Sequence, residues 1–178
     1  MNRIFKRITD RIAIAGVFAL VAYAVVYAAG ARINTTKSIP IGLYWTSNAP
    51  VEKGAYVMFC PPHDRVFVAA KERGYIGAGF CPGEYGYMMK RILATKNDIV
   101  VINEEGVRVN GVLLPHSAQR KVDAAGRMLP RFHVDRYMLG QFDLLLMSDV
   151  SDASFDSRYF GPINKSQIKA VIRPIITL

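Results

Sequence analysis

Ser38 and Lys90 are the residues whose types and settings suggest covalent chemistry. A serine hydroxyl is a weak nucleophile until a base takes its proton, and histidine is the familiar base. His63, His116 and His133 sit in no motif and read as ordinary surface residues. A lysine can serve instead if its pKa falls from about 10.4 toward 7 or 8. Each unit of that fall is about 1.4 kcal/mol of disfavoured ammonium, supplied mainly by desolvation. Lys90 lies in Tyr87-Met88-Met89-Lys90-Arg91-Ile92-Leu93, where strand alternation puts Met88, Lys90 and Ile92 on one face. An amine on an apolar face is what such a base requires, although most strand lysines, taken alone, carry their amines out to water. There is no His-Glu-x-x-His run and no cysteine cluster, so the sequence implies no metal and no cofactor.

The elements that would position these residues begin at the membrane. Residues 12–29 carry no charge. As a helix rising 1.5 Å per residue they cover about 27 Å, enough for a thin bilayer core. Arg3, Lys6, Arg7 and Arg11 against Asp10 leave +3 in the first eleven residues, which predicts a cytoplasmic N-terminus and export of the chain beyond Gly30. The organisation read from this is a basic N-terminus over 1–11, an anchor over 12–30 and an exported domain over 31–178. Small residues at Ala29-Gly30-Ala31 leave a cleaved signal peptide as the rival to a retained anchor. The rest of the net +9 is spread without runs, zinc-finger spacing or a helix-turn-helix pattern, so lipid headgroups are a simpler partner than nucleic acid. Cys60 and Cys81 invite pairing in an exported domain, against a reading as two small buried hydrophobes.

Beyond the anchor the pattern is mainly β, with many short strands and small helices. Thr46 to Gly54 reads as turn-rich, and Ala55 to Phe59 as a strand stopped by Pro61-Pro62. Asp64 caps a short helix over 65–73 that Gly74 closes. The glycine-rich stretch from Gly74 to Gly86 reads as a loop. Strands come next over 87–93 and 99–102, then Val107-Arg108-Val109 and Val112-Leu113-Leu114 flank Asn110-Gly111, a tight-hairpin signal. Pro115 to Arg136 reads as an insertion or flexible loop, and Leu144 to Met147 and Ile168 to Ile172 as interior strands.

Three stretches carry a resemblance to a known family. Thr36-Lys37-Ser38-Ile39-Pro40 comes first. Lys90-Arg91-Ile92-Leu93 runs into Asp98-Ile99-Val100-Val101 and the hairpin. Ser154-Phe155-Asp156-Ser157-Arg158-Tyr159-Phe160-Gly161-Pro162 closes the set. In this order they resemble the boxes of the type I signal peptidases, and within that group the chain looks like the TraF peptidases of conjugative plasmid transfer. The resemblance implies a signal-peptidase-like β-barrel or sandwich behind one transmembrane helix. It implies Ser38 as nucleophile, Lys90 as general base, and an oxyanion hole from the Ser38 amide and the Thr36 hydroxyl. Ser154 would orient the Lys90 amine, and Asp156 and Arg158 would brace the site as an ion pair, or Asp156 would share in catalysis.

The implied activity is maturation of a membrane-tethered precursor such as a prepilin at the bacterial inner membrane, including head-to-tail closure of the trimmed product. Conjugative secretion components are the implied further partners. A general signal peptidase and a non-catalytic bitopic assembly protein are the alternatives. Two departures stand out. Pro40 follows Ser38 by two residues where the family usually has Ser-Met-x-Pro, and Ser148-Asp149-Val150 stands where it usually has Gly-Asp-Asn. A side chain at 148 is expected to crowd the lysine.

Overall fold

The structure, a computed structural model, describes residues 2–178 and their side chains from residue 5 onward, so the side chain of Arg3 lies outside the described residues. The chain divides into two compact units, one ending at Arg32 and one running Ile33–Leu178.

The first unit is a single helix, α1 (Asn2–Ala28), followed by a turn at Gly30, whose φ of +116° favours glycine. The helix is not confined to the uncharged run. Lys6, Arg7 and Arg11 continue it toward the N-terminus, and the segment long and apolar enough to cross a membrane is Phe5–Ala28. Phe18, Leu20 and Val25 are more than half exposed. By length and composition alone, this segment qualifies as a candidate membrane span. At its end Arg32 lies over the Tyr27 ring and donates to the Tyr27 carbonyl, a cation at the negative end of the helix.

The second unit is mainly β. The larger sheet of the chain comprises β1 (Ala31–Asn34), of which only Ile33 and Asn34 belong to this unit, β2 (Gly42–Ser47), β3 (Tyr56–Phe59), β5 (Met88–Ala94), β10 (Asp143–Met147), β11 (Ile163–Asn164) and β12 (Ile168–Thr177). They lie in the order β1-β2-β12-β3-β5-β10-β11. The smaller sheet joins β6 (Ile99–Asn103), β7 (Gly106–Val109), β8 (Val112–Leu113) and β9 (Val134–Met138) in the order β8-β7-β6-β9. The hairpin turns at Asn110-Gly111, both with positive φ as a tight two-residue turn demands.

Strand β10 shows why the layers form. Leu144 and Leu146 enter one apolar cluster while Leu145 and Met147 enter another with Val100, Ile102 and Val107 of the smaller sheet. A strand buried on both faces reads as a continuous apolar run. The first cluster also packs against α2 (Arg65–Glu72), through Phe67 and Ala70, and against the short α3 (Ser157–Phe160), through Tyr159. Asp64 caps α2 by accepting from the Val66 and Phe67 amides.

Three expectations are corrected. The glycine-rich stretch contains a strand, β4 (Ala78–Cys81), because Gly79 backs directly onto Gly86: a Cβ at 79 would lie 2.6 Å from the Gly86 Cα. Thr46 and Ser47 belong to β2 and not to a turn, since they pair with Ile172 and Val171 of β12. The segment 115–136 lacks regular structure as far as residue 133, but its last three residues belong to β9, which pairs with β6, and the loop is tied down near both ends. Gln119 donates to the Phe132 and Arg158 carbonyls, and the Arg120 amide donates to the Tyr159 hydroxyl. Cys60 and Cys81 form a disulfide that joins the end of β3 to the end of β4.

Candidate active site

Strand β5 sets the depth of Lys90. It lies between β3 and β10, and burial alternates along it: Met88, Lys90, Ile92 and Ala94 are buried, and the residues between them are half-buried. Lys90 is 3% exposed, and its Nζ donates to Ser154 Oγ at 2.7 Å. Burial lowers its pKa from 10.5 to about 8, with the Asp156 carboxylate opposing the fall and the Arg158 guanidinium assisting it. The amine is neutral in an appreciable fraction of molecules near neutral pH, as a general base must be.

Ser38 lies in the loop between β1 and β2. That loop is organised from inside by Asn34, the last residue of β1, which is 4% exposed. Asn34 Nδ2 donates to the carbonyls of Thr36 at 2.7 Å, Ile39 at 2.9 Å and Pro40 at 3.1 Å. Its Oδ1 accepts from the Thr36 amide at 3.3 Å and the Thr36 hydroxyl at 3.0 Å. Thr36 Oγ1 in turn lies 2.5 Å from Ser38 Oγ. Farther along, Ile39 is fully buried with Tyr44, Met58 and Ile172, and the Tyr44 hydroxyl donates to the Pro40 carbonyl at 2.6 Å. An early proline is thus accommodated by an apolar plug at Ile39 and a tyrosine strut.

A cavity of about 480 Å³ lies between this loop and β5; Ser38, Thr36, Lys90, Ser154, Met88 and Phe155 are among its walls. The fold therefore brings the candidate nucleophile, base and orienting hydroxyl to one space. Among the described residues no hydrogen bond joins Ser38 to Lys90: Ser38 Oγ meets Thr36 and Lys90 Nζ meets Ser154. Such contacts commonly tighten only when substrate is bound.

The wall behind Ser154 is held by ions. The side chains of Asp156 and Arg158 are fully buried and paired, with Arg158 Nε to Asp156 Oδ1 at 2.8 Å and Nη2 to Oδ2 at 2.9 Å. Asp156 also caps α3 by accepting from the Arg158 amide, and its Oδ2 accepts from the Ser148 amide at 3.1 Å. Arg158 donates to the carbonyls of Ala118, Ser151 and Asp152. A buried pair needs this many partners to offset its desolvation. Ser148 is fully buried, and its hydroxyl engages backbone: it donates to the Lys37 carbonyl and accepts from the Val150 and Ser151 amides. That hydroxyl ties the end of β10 to the Ser38 loop. On the other face of β5, Arg91 and the Tyr56 hydroxyl both donate to Asp149 Oδ2.

Sequence reasoning did not find Asn34, the struts at Tyr44 and Ser148, or the Arg91–Asp149–Tyr56 cluster. The available signal was weak: an asparagine entering a polar turn is an ordinary turn former. The histidines lie elsewhere. His133 meets Asp135 at the surface, and His63 meets the Tyr85 hydroxyl at 3.3 Å. Among the described residues no group of acidic, cysteine and histidine side chains could hold a metal.

Residues 4–176 match the family described as signal peptidase, peptidase S26. A plasmid transfer protein TraF of Escherichia coli is 68% identical over 177 residues, covering 99% of each chain. A conjugal transfer protein TraF of Agrobacterium fabrum is 35% identical over 150 residues, covering 83% of each. Among solved structures, a signal peptidase I from Enterococcus faecalis V583 is similar with a TM-score of 0.39 and 15% identity, covering 71% of this chain and 100% of that one.

Proposed function

Because this chain belongs to the signal peptidase family, peptidase S26, we propose that it is a membrane-anchored endopeptidase in which Ser38 and Lys90 form the catalytic dyad. The observation that carries this reading is a buried lysine amine, its pKa lowered to about 8, in the same cavity as a serine on a braced loop. Ser38 Oγ passes its proton to neutral Lys90 Nζ and bonds to the scissile carbonyl carbon, whose π electrons move to oxygen. The Ser38 amide and the Thr36 hydroxyl receive that oxyanion. Collapse breaks the C–N bond, and the leaving amine takes the proton from the Lys90 ammonium. Water, activated by Lys90, then releases the acyl group. If the substrate's own amine attacks instead, the product is closed head to tail.

The substrate we propose is a membrane-tethered precursor of a conjugative system, such as a prepilin. The names of the TraF relatives support the setting. Tether length supports the placement: nine residues separate Ala29 from Ser38, at most about 30 Å of extended chain. With α1 in the bacterial inner membrane and the basic residues cytoplasmic, the nucleophile is confined near the outer surface of that bilayer.

The test is co-expression with a pilin precursor, followed by mass spectrometry of the product. Ser38→Ala, Lys90→Ala and Lys90→Arg should each leave the precursor uncut, the last because a guanidinium is no base near neutral pH. In the same cells, protease added to spheroplasts should digest the catalytic unit. Full cleavage by any of the three variants sinks the dyad. Processing of many unrelated exported precursors would point to a general signal peptidase, and a protected catalytic unit would overturn the orientation.

A further inference from the structure

A threonine hydroxyl owns one proton. When Thr36 spends that proton on Asn34 Oδ1, its oxygen can meet Ser38 Oγ only as an acceptor. The resting Ser38 proton is then directed at Thr36, not at Lys90. We propose that Asn34 is a positioning residue for catalysis: its carboxamide fixes the Thr36 hydroxyl, and through it the Ser38 oxygen, before substrate arrives. This rests on reading Ser38 as the nucleophile.

The arrangement is suited to that task for three reasons. Asn34 is nearly inaccessible, so its hydrogen bonds are shielded from competing water. Its Nδ2 gathers carbonyls from both sides of Ser38, at Thr36 before it and at Ile39 and Pro40 after it, which pins the loop at two points. Its Oδ1 gives Thr36 a resting partner that can be released. When Ser38 turns its proton toward Lys90 and its oxygen bonds to the substrate carbon, Thr36 no longer receives a proton from Ser38. The Thr36 hydroxyl can then rotate its own proton from Asn34 Oδ1 to the developing oxyanion. No bond within Thr36 or Asn34 breaks. Thr36 is a two-position rotor, and Asn34 defines its resting position.

The experiment is single-turnover and steady-state cleavage of the pilin precursor, with melting temperatures recorded for each variant. Thr36→Val should lower kcat by about 100-fold, the scale of one lost transition-state donor, and Asn34→Ala should lower it clearly but by no more than that, because Asn34 acts through Thr36. KM and the midpoint of the pH–rate profile should stay close to those of the parent, because neither substitution touches Lys90. Thr36→Ser should keep most activity. The double variant Asn34→Ala/Thr36→Val should be little worse than Thr36→Val alone, since residues acting through one another are not additive. Losses that multiply in the double variant, or a parental kcat for Asn34→Ala, would overturn the proposal. If Asn34→Ala does not fold, the Thr36 pair decides: parental kcat for Thr36→Val overturns it, and loss with valine but not serine supports it. Activity in Ser38→Ala would instead mean that the dyad itself had been misread.

Discussion

At the scale of the residue, Lys90 shows a conflict between stability and reactivity. Below pH 8 its amine is mostly charged in both the folded and the unfolded chain, and burying that charge costs folding about 3 kcal/mol, the equivalent of the fall from 10.5 to about 8. Above pH 8 the folded chain sheds this proton first, so the unfolded chain binds more protons and this contribution to stability rises with pH until about 10.5. Precursor cleavage should therefore rise with pH through a midpoint near 8. Lys90→Met, which removes the buried charge, should be the more stable protein at pH 7 by about 1–3 kcal/mol, with the difference shrinking toward pH 10. Thermal denaturation at both pH values checks this, and a variant no more stable than the parent at pH 7 would mean that Lys90 is well solvated. The lysine was legible in the sequence because a strand's period of two is short and local. Asn34 was not, because its importance lies in three carbonyls that only the folded loop turns toward it.

At the scale of the element, the Cys60–Cys81 bond fastens β4 to the end of β3, across a sequence separation of 21. Closing a loop of that length constrains the unfolded chain by roughly 3 kcal/mol. The double variant Cys60→Ser/Cys81→Ser should therefore unfold at lower denaturant, losing about 2–4 kcal/mol, and thiol labelling of denatured, unreduced parent should find no free cysteine. Both cysteines labelled without reductant would show that the pair stays open in the cell. Ile76 and Gly77, which help to wall the cavity, lie inside this closed loop. The elements that the sequence revealed were those with local signals: the Asp64 cap, the Asn110-Gly111 turn and the apolar run of β10. Those that it hid depend on distant partners. Four of the five residues of β9 are exposed, so no alternation marks it as a strand. β4 forms only because two glycines allow two backbones to touch.

At the scale of the whole molecule, strand order and chain order disagree. β12 follows β2 and β3 and every other strand of the larger sheet in the sequence, yet it lies between β2 and β3, with Val171 facing Ser47 on one side and Val57 on the other. Its Ile172 also closes the cluster that buries Ile39, next to Ser38. A chain truncated after Gln167 should therefore be inactive and readily degraded, even though Ser38, Lys90 and Ser154 are all present. Retained cleavage in that truncation would show that the sheet can form without its middle. Time enters through this arrangement. Until β12 has emerged, nothing pairs β2 with β3, and the apolar seat of Ile39 lacks Ile172. Cleavage therefore has to wait for β12, so a growing chain that has not yet reached this strand cannot cut the unfolded chains beside it.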